Sequence, residues 1–382
     1  MITRKRPEQK NMSQSNRKSV KHRVACFISP HGFGHAARAA GIMAAIHEID
    51  SSIRFEIFTK VPSWFFHSSL SGPFTYHSLL TDIGLMQKTP LREDLNKTLQ
   101  CLNDFLPFDH SQISTLGQLI NRLRCELIIC DIAPMGILVA KEAHIPSVLV
   151  ENFTWDWIYQ EYTSHDIQIN KHVVYLHSLF DTADHHVQTE PVCCYCLADL
   201  TTLPVSRKVR TPAREIRKKL GLPSDSKVVM ITMGGIPEQY IFLKELANQR
   251  DVHFVIPGGG QSMEIHDNLV LLPYHSDFFH PDLINACDGV VGKLGYSTLA
   301  EVYYTGIPFG YIPRPSFRES EILAAYVDEK MIGVAIEETE FQVGSWISHI
   351  QHLLALPRIQ QSGPNGAEQA ARFINTLLNR EN

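Results

Sequence analysis

From Val24 onward the chain alternates short apolar runs with helix-like stretches, and this alternation restricts it to a layered α/β architecture. Residues 24–28 read as a buried parallel strand and residues 36–46, rich in Ala, Ile and Met, as a buried helix. Between them stands Ser29-Pro30-His31-Gly32-Phe33-Gly34-His35. A strand, a glycine-bearing turn and a helix start put backbone N–H groups and two imidazoles at the carboxyl edge of a sheet, where open α/β folds hold ligands. Residues 53–59 read as a second strand, closed by Val61-Pro62, and 92–106 and 113–123 read as helices. Residues 126–130 form a strand pattern ending in Asp131, followed by a helix through Lys141 and a strand over 147–150. That spacing is a βαβ unit with a right-handed crossover, which favours a mainly parallel sheet.

The stretch 200–227 breaks the pattern with Pro204, a run of Arg and Lys, Pro212, Gly221 and Pro223 around one basic helix at 213–220. A second alternating series follows: strand 228–232, a turn at Gly234-Gly235, helix 238–248, strand 252–257, strands at 269–272, 289–291 and 309–312, and a helix at 367–378. At 382 residues the chain is too long for one ordinary core. The predicted division is a disordered basic tail over 1–20, a first domain over 21–205, a linker with its basic helix over 206–226 and a second domain over 227–365. A final helix over 366–382 is expected to cross back to the first domain. Two Rossmann-like parallel-sheet domains then face each other across a cleft, and function belongs on the strand ends that line it.

A composition of 44% hydrophobic and 20% charged residues is that of a soluble globular protein. The net charge of -5 gives no electrostatic reason to expect a nucleic-acid partner. The basic residues of 4–21 precede no apolar segment of a signal peptide, and no run approaches the roughly 18 apolar residues of a membrane span. Eight scattered cysteines suit reduced thiols in a cytoplasm. His185, His186, Cys193, Cys194 and Cys196 cluster without C-x-x-C or H-x-x-x-H spacing, so they read as buried cysteines rather than a metal site.

Chemistry concentrates in Gly292-Lys293-Leu294-Gly295-Tyr296-Ser297-Thr298-Leu299-Ala300-Glu301, which follows a strand and opens a helix. N–H groups around Gly295 to Thr298 sit at a positive helix end, Ser297 and Thr298 can cap it or donate to phosphate, and Lys293 adds a point charge. Glu301, one turn further on, can accept two ribose hydroxyls; the other reading is a capped helix with a surface carboxylate. Gly234-Gly235 fits a diphosphate-approaching turn or a plain tight turn. His31 shares a face with His35 if the helix has begun by then. Asn152, Trp155 and Asp156 follow the 147–150 strand and would line an acceptor, although Trp155 and Trp157 fit a core equally. Trp64-Phe65-Phe66 reads either as a membrane-dipping loop or as a buried helix.

Several of these motifs resemble a family. His31-Gly32-Phe33-Gly34-His35, Asn152-Phe153-Thr154-Trp155-Asp156, Gly292-Lys293-Leu294-Gly295-Tyr296 and Asn365-Gly366-Ala367-Glu368 are similar to the glycosyltransferase-like N-terminal region of plant L-arabinokinases. Gly295-Tyr296-Ser297-Thr298 with Glu301, then Gly306-Ile307-Pro308, resembles the donor motif of GT-B glycosyltransferases that use nucleotide sugars. The likeness runs from about Val24 to the C-terminus, and no sugar-kinase stretch follows, so kinase activity is not implied.

The resemblance implies GT-B architecture and gives residues roles. His35 matches a histidine that deprotonates an acceptor or contacts the donor, and Asp131 the aspartate that orients it; His31 is the alternative base. Lys293 stands where plant transferases have a diphosphate-binding histidine. Glu301 matches a ribose-binding glutamate, and Pro273-Tyr274 a loop contacting nucleobase and ribose, with Tyr274 in place of the usual Gln. Arg314, Arg318, Glu319 and Glu321 follow the 309–312 strand, where related enzymes hold sugar hydroxyls. Gly34, Gly234, Gly235, Gly295, Tyr296, Ser297 and Thr298 complete the expected donor side.

The expected activity is hexosyl or N-acetylhexosaminyl transfer from a nucleotide sugar, UDP-linked, to a hydroxyl of a sugar, lipid-linked sugar or small molecule, with inversion. No D-x-D pair stands at a strand end, so neither a metal nor another cofactor is expected, and Lys293 and helix N-termini would neutralise the leaving diphosphate. The alternatives are an enzyme like UDP-N-acetylglucosamine 2-epimerase and a catalytically silent sugar-nucleotide-binding module. The expected setting is cytoplasmic, with peripheral membrane contact left open and the oligomeric state undetermined.

Overall fold

The computed structural model describes residues 21–235 and 240–379; the tail expected over 1–20 and the start of the helix expected at 238 lie outside them. The first half contains β1 (Arg23–Ile28), α1 (Gly34–Ile49), β2 (Arg54–Thr59), α2 (Ser63–Ser69), β3 (Phe74–Ser78) and a hairpin of β4 (Gln87–Thr89) and β5 (Arg92–Glu93). Then come α3 (Leu95–Phe105), α4 (His110–Leu123), β6 (Leu127–Asp131), α5 (Pro134–Ala143), β7 (Ser147–Glu151), α6 (Trp155–Gln160), α7 (Asn170–Phe180), β8 (His185–Thr189) and β9 (Leu200–Thr202). Its sheet runs β3-β2-β1-β6-β7-β8-β9 with every pairing parallel.

The second half, after α8 (Ala213–Lys219), contains β10 (Lys227–Thr232), α9 (Leu243–Ala247), β11 (Val252–Gly260), β12 (Glu264–His266), β13 (Leu269–Pro273), α10 (His280–Asn285), β14 (Gly289–Lys293) and α11 (Tyr296–Thr305). It ends with β15 (Phe309–Ile312), α12 (Glu319–Lys330), β16 (Gly333–Ala335), α13 (Glu338–Val343), α14 (Ile350–Ala355) and α15 (Gly366–Leu378). Its sheet order is β12-β13-β11-β10-β14-β15-β16, parallel except for β12 against β13. Each sheet therefore reverses its winding at one place, between β1 and β6 and between β10 and β14. Crevices open at the strand ends there, which is where such sheets take ligands.

Helix α1 is buried on nearly all sides because Ala36, Ala39, Ala40 and Ala45 let neighbours approach closely. One neighbour is α15, whose Ala367, Ala370, Ala371 and Ile374 form an apolar stripe in the same core cluster. Asn365 caps that helix, its Oδ1 accepting from the N–H groups of Ala367 and Ser206. The other neighbour is α11, which contributes Tyr296 and Ala300 to the first domain's core.

Some expectations need correcting. The helix expected from Arg92 begins at Leu95, because Asp94 caps it by accepting from the Lys97 N–H while Arg92 and Glu93 pair back against β4. Strands β3 and β9 were not expected, and the strand expected to end at His185-His186 instead begins there as β8; β3 is half-buried up to its exposed last residue and β8 opens on two histidines, so neither shows a continuous apolar run. Cys194 and Cys196 are exposed rather than buried, with Cys196 Sγ 3.5 Å from His186 Nδ1. Trp64-Phe65-Phe66 lies in α2 with Phe65 and Phe66 buried, and Trp64 stacks on His275 of the second domain at 4.4 Å, so the segment faces protein rather than a membrane. Among the described residues no helix is long and apolar enough to cross a membrane.

Candidate active site

Because β1 and β6 are neighbours with Ile28 opposite Asp131, Asp131 stands at the carboxyl edge beside the turn that leads into α1. His35, in the first turn of that helix, places Nδ1 3.2 Å from Asp131 Oδ1. Its Nε2 makes no hydrogen bond to a described residue, and the ring lines the cleft. One turn on, Arg38 donates from Nε to Asp131 Oδ2 at 2.9 Å and from Nη2 to Oδ1 at 2.7 Å. Burial pushes the Asp131 carboxyl up, and the adjoining Arg38 and His35 more than offset this, holding it below its ordinary value. His31 meets Trp155 edge-on at 5.3 Å; burial, then His35, Arg314 and Lys293, hold its imidazole well below the usual range, so it is neutral near pH 7.

The second domain supplies the facing wall. After β10 the chain turns through Gly234 and Gly235, both at positive φ, and a Cβ on Gly235 would stand 2.2 Å from the Phe33 ring of the first domain. Only glycine permits that approach. Lys293 ends β14, and α11 begins at Tyr296 after Gly295 without a side-chain cap, leaving first-turn N–H groups open beside it. The Lys293 ammonium has no hydrogen bond or ion pair among the described residues. Burial, then Arg314, lowers its pKa to about 7. Arg314, after β15, is 4% exposed and stacks on Phe317 at 3.8 Å. Its guanidinium is 3.6 Å from Glu93, which the β4–β5 hairpin brings from the first domain, and 3.7 Å from Glu319.

The cleft has two lobes. Around the polar one stand His31, Gly34, His35, Lys293, Gly295, Tyr296, Arg314 and Glu319. Around the aromatic one stand Trp64, Phe65, Gly235, Tyr240, Pro273, Tyr274, Phe278 and Phe279. Phe33, Gly234, Ser297 and Thr298 line both, so the lobes are continuous.

Other expected site residues lie elsewhere. Glu301 is 2% exposed behind the aromatic lobe; Oε1 accepts from Arg207 Nη2 at 2.8 Å and Oε2 lies 2.6 Å from His280 Nδ1, so its oxygens are already engaged. Glu321 is exposed on α12, outside both lobes. Asn152 is fully buried between Arg38 and Glu319, and Trp155 is core, its Nε1 donating to Asp82 at 3.2 Å. Asp156 pairs with His177 at 3.0 Å and lines a separate groove. These three residues therefore make no common acceptor wall. Sequence reading passed over Arg38, Glu93, Arg207 and His280; only Arg38, one turn from His35, carried a local signal. Among the described residues no three His, Cys, Asp or Glu side chains group to hold a metal ion.

Residues 27–353 match the sequence profile described as Glycosyl transferase family 1. The chain is 27% identical over 364 residues to L-arabinokinase of Arabidopsis thaliana, across 93% of this chain and 34% of that protein. It is 25% identical over 240 residues to the UDP-N-acetylglucosamine–N-acetylmuramyl-(pentapeptide) pyrophosphoryl-undecaprenol N-acetylglucosamine transferase of Bacillus licheniformis, across 57% of this chain and 61% of that one. The chain thus spans about a third of the first relative's length and three fifths of the second's. Among solved structures, a UDP-glucosyltransferase from Polygonum tinctorium superposes with a TM-score of 0.61 at 13% identity, over 95% of this chain and all of that one. The two-domain architecture is that of the GT-B fold.

Proposed function

The chain belongs to glycosyl transferase family 1, and on that premise we propose that it moves a sugar from a UDP-linked donor to an acceptor hydroxyl, inverting the anomeric centre without a metal ion. In this reading residues 21–205 carry the acceptor side, 206–226 the linker and 227–365 the donor side. The observation that carries it is the unpaired Lys293 beside the uncapped N-terminus of α11, facing the free Nε2 of His35 across one continuous cleft. A diphosphate in the polar lobe would receive the Lys293 ammonium and the first-turn N–H groups of α11. The nucleoside would occupy the aromatic lobe against Tyr274 and Phe33. The name of the Bacillus licheniformis relative includes a UDP-sugar, which supports the nucleotide.

His35 Nε2 takes the acceptor proton as the hydroxyl oxygen attacks the anomeric carbon. The bond from that carbon to the diphosphate oxygen breaks on the opposite face, and UDP leaves with the electron pair. His35 Nδ1 lies 3.2 Å from Asp131 Oδ1, and with the proton on Nδ1 that carboxylate stabilises the imidazolium formed. Glu319 would contact the donor sugar. All eight cysteines are free, which supports a cytoplasmic setting.

Calorimetry with UDP and a panel of UDP-sugars, followed by NMR of the product's anomeric configuration, tests this. UDP binding and an inverted product are expected, and no binding by any of them ends the reading. Binding without turnover would indicate a silent module, and turnover without an acceptor an epimerase-like enzyme.

A further inference from the structure

Arg38 gathers contacts from both domains. It is 1% exposed, and besides its two bonds to Asp131 its Nη1 donates to Oδ1 of Asn152 at 2.6 Å. Its guanidinium carbon stands 5.0 Å from the ring centroid of Tyr296, the first residue of α11. Asn152 in turn donates from Nδ2 to Oε1 of Glu319, the first residue of α12, at 2.8 Å. Both helices belong to the second domain, and both begin at the polar lobe.

We propose that Arg38 is an interdomain positioning residue: it fixes the Asp131 carboxylate for His35 and, through Tyr296 and Asn152, sets the starts of α11 and α12 against that pair. The planar fork of a guanidinium suits this work, since one group grips two carboxylate oxygens, a third acceptor and an aromatic face at once, which an ammonium cannot do. Its platform is rigid because α1 is enclosed by α15 and α11. Asn152 links the two ends of these contacts: its Oδ1 serves Arg38 and its Nδ2 serves Glu319. The purpose of this positioning rests on the donor-site reading above; the contacts themselves do not.

The competing role is a buried counter-ion for Asp131 that matters to the first domain alone. Hydrogen exchange on the full chain without ligand separates the two. Arg38→Lys keeps a charge near Asp131 but loses the fork. Exchange is expected to rise about tenfold in peptides spanning 294–302 and 314–323, with 227–232 and 252–257 unchanged. Asn152→Asp keeps the acceptor for Arg38 and sets a carboxylate against Glu319, so exchange should rise over 314–323 and not over 294–302. Should Arg38→Lys fail to fold, Asn152→Asp carries the test. Unchanged exchange in both second-domain segments, or an equal rise throughout the chain, overturns the proposal. Titration of wild type with UDP is read separately: failure to bind removes the donor-site reading and leaves the exchange result to decide this one.

Discussion

The Lys293 ammonium and the Arg314 guanidinium share one lobe of the cleft, and neither side chain makes a hydrogen bond to a described residue. Lys293 titrates near 7 when the lobe is empty, because burial and then Arg314 disfavour its charge. A bound diphosphate favours the ammonium and raises that value. Binding at pH 8 should therefore take up close to one proton, and affinity should fall by about tenfold per pH unit above 7 until the bound-state value is reached. Calorimetry of UDP binding in buffers of different ionisation enthalpy measures the uptake. Lys293→Arg, charged throughout, should abolish it; zero uptake in the wild type would sink the assignment of Lys293 to the phosphate.

His35 and Asp131 make a second test. His35→Ala should lower turnover by roughly 10²-fold or more, because it removes the group that takes the proton. UDP affinity should stay nearly constant, since in this reading His35 Nε2 meets the acceptor hydroxyl and not the nucleotide. An unchanged rate would move the base to His31. Asp131→Asn differs in kind: it leaves the buried Arg38 charge without its partner and should cost about 3–5 kcal/mol of stability, read by thermal unfolding.

What could be read in the sequence was whatever repeats along the chain. Apolar runs at regular spacing marked β1, β6, β7, β10 and β15. The glycine turns after β1 and β14 marked the two switch points, and with them His35 and Lys293. Asp131 drew notice through the family resemblance, at the end of a strand that its apolar run marked. Arg38 lies one turn from His35 and so had a local signal, but it sits in a helix whose other residues read as core, and its partner Asp131 is 93 positions away. The ion pair of Glu301 was hidden for the same reason: its partner Arg207 comes from the linker, 94 residues distant. Long-range ion pairs leave no periodicity to detect.

Glu301 consequently gives a prediction opposite to that of a ribose ligand. Burial raises its carboxyl pKa, but Arg207 and His280 outweigh that and hold it below its ordinary value. A depressed folded-state value stabilises the fold at neutral pH, and that contribution is lost as the pH falls below 4.5 through the folded value. Glu301→Ala should cost about 3–5 kcal/mol by stranding Arg207. Glu301→Gln should flatten the acid limb of stability against pH while UDP affinity stays within about threefold. A loss of UDP affinity at unchanged stability would restore the ribose role.

Gly235 tests how closely the domains must meet. It has φ +81°, and Gly258 has φ +79°, so alanine at either position incurs a similar backbone penalty of about 1 kcal/mol. Their surroundings differ: a Cβ at Gly258 meets nothing within 4 Å, whereas at Gly235 it would lie 2.2 Å from Phe33 Cδ2, on the opposite domain. Phe33 cannot simply swing aside, because its ring already packs on Phe65 at 5.0 Å and on Tyr274 at 5.5 Å. Gly235→Ala must therefore part the domains where both lobes join. Thermal unfolding should show a larger loss for Gly235→Ala than for Gly258→Ala, and UDP affinity should fall at least about tenfold for Gly235→Ala beyond the change in Gly258→Ala. Equal affinities in the two variants would mean that nucleotide binding does not need the contact between Phe33 and the glycine turn.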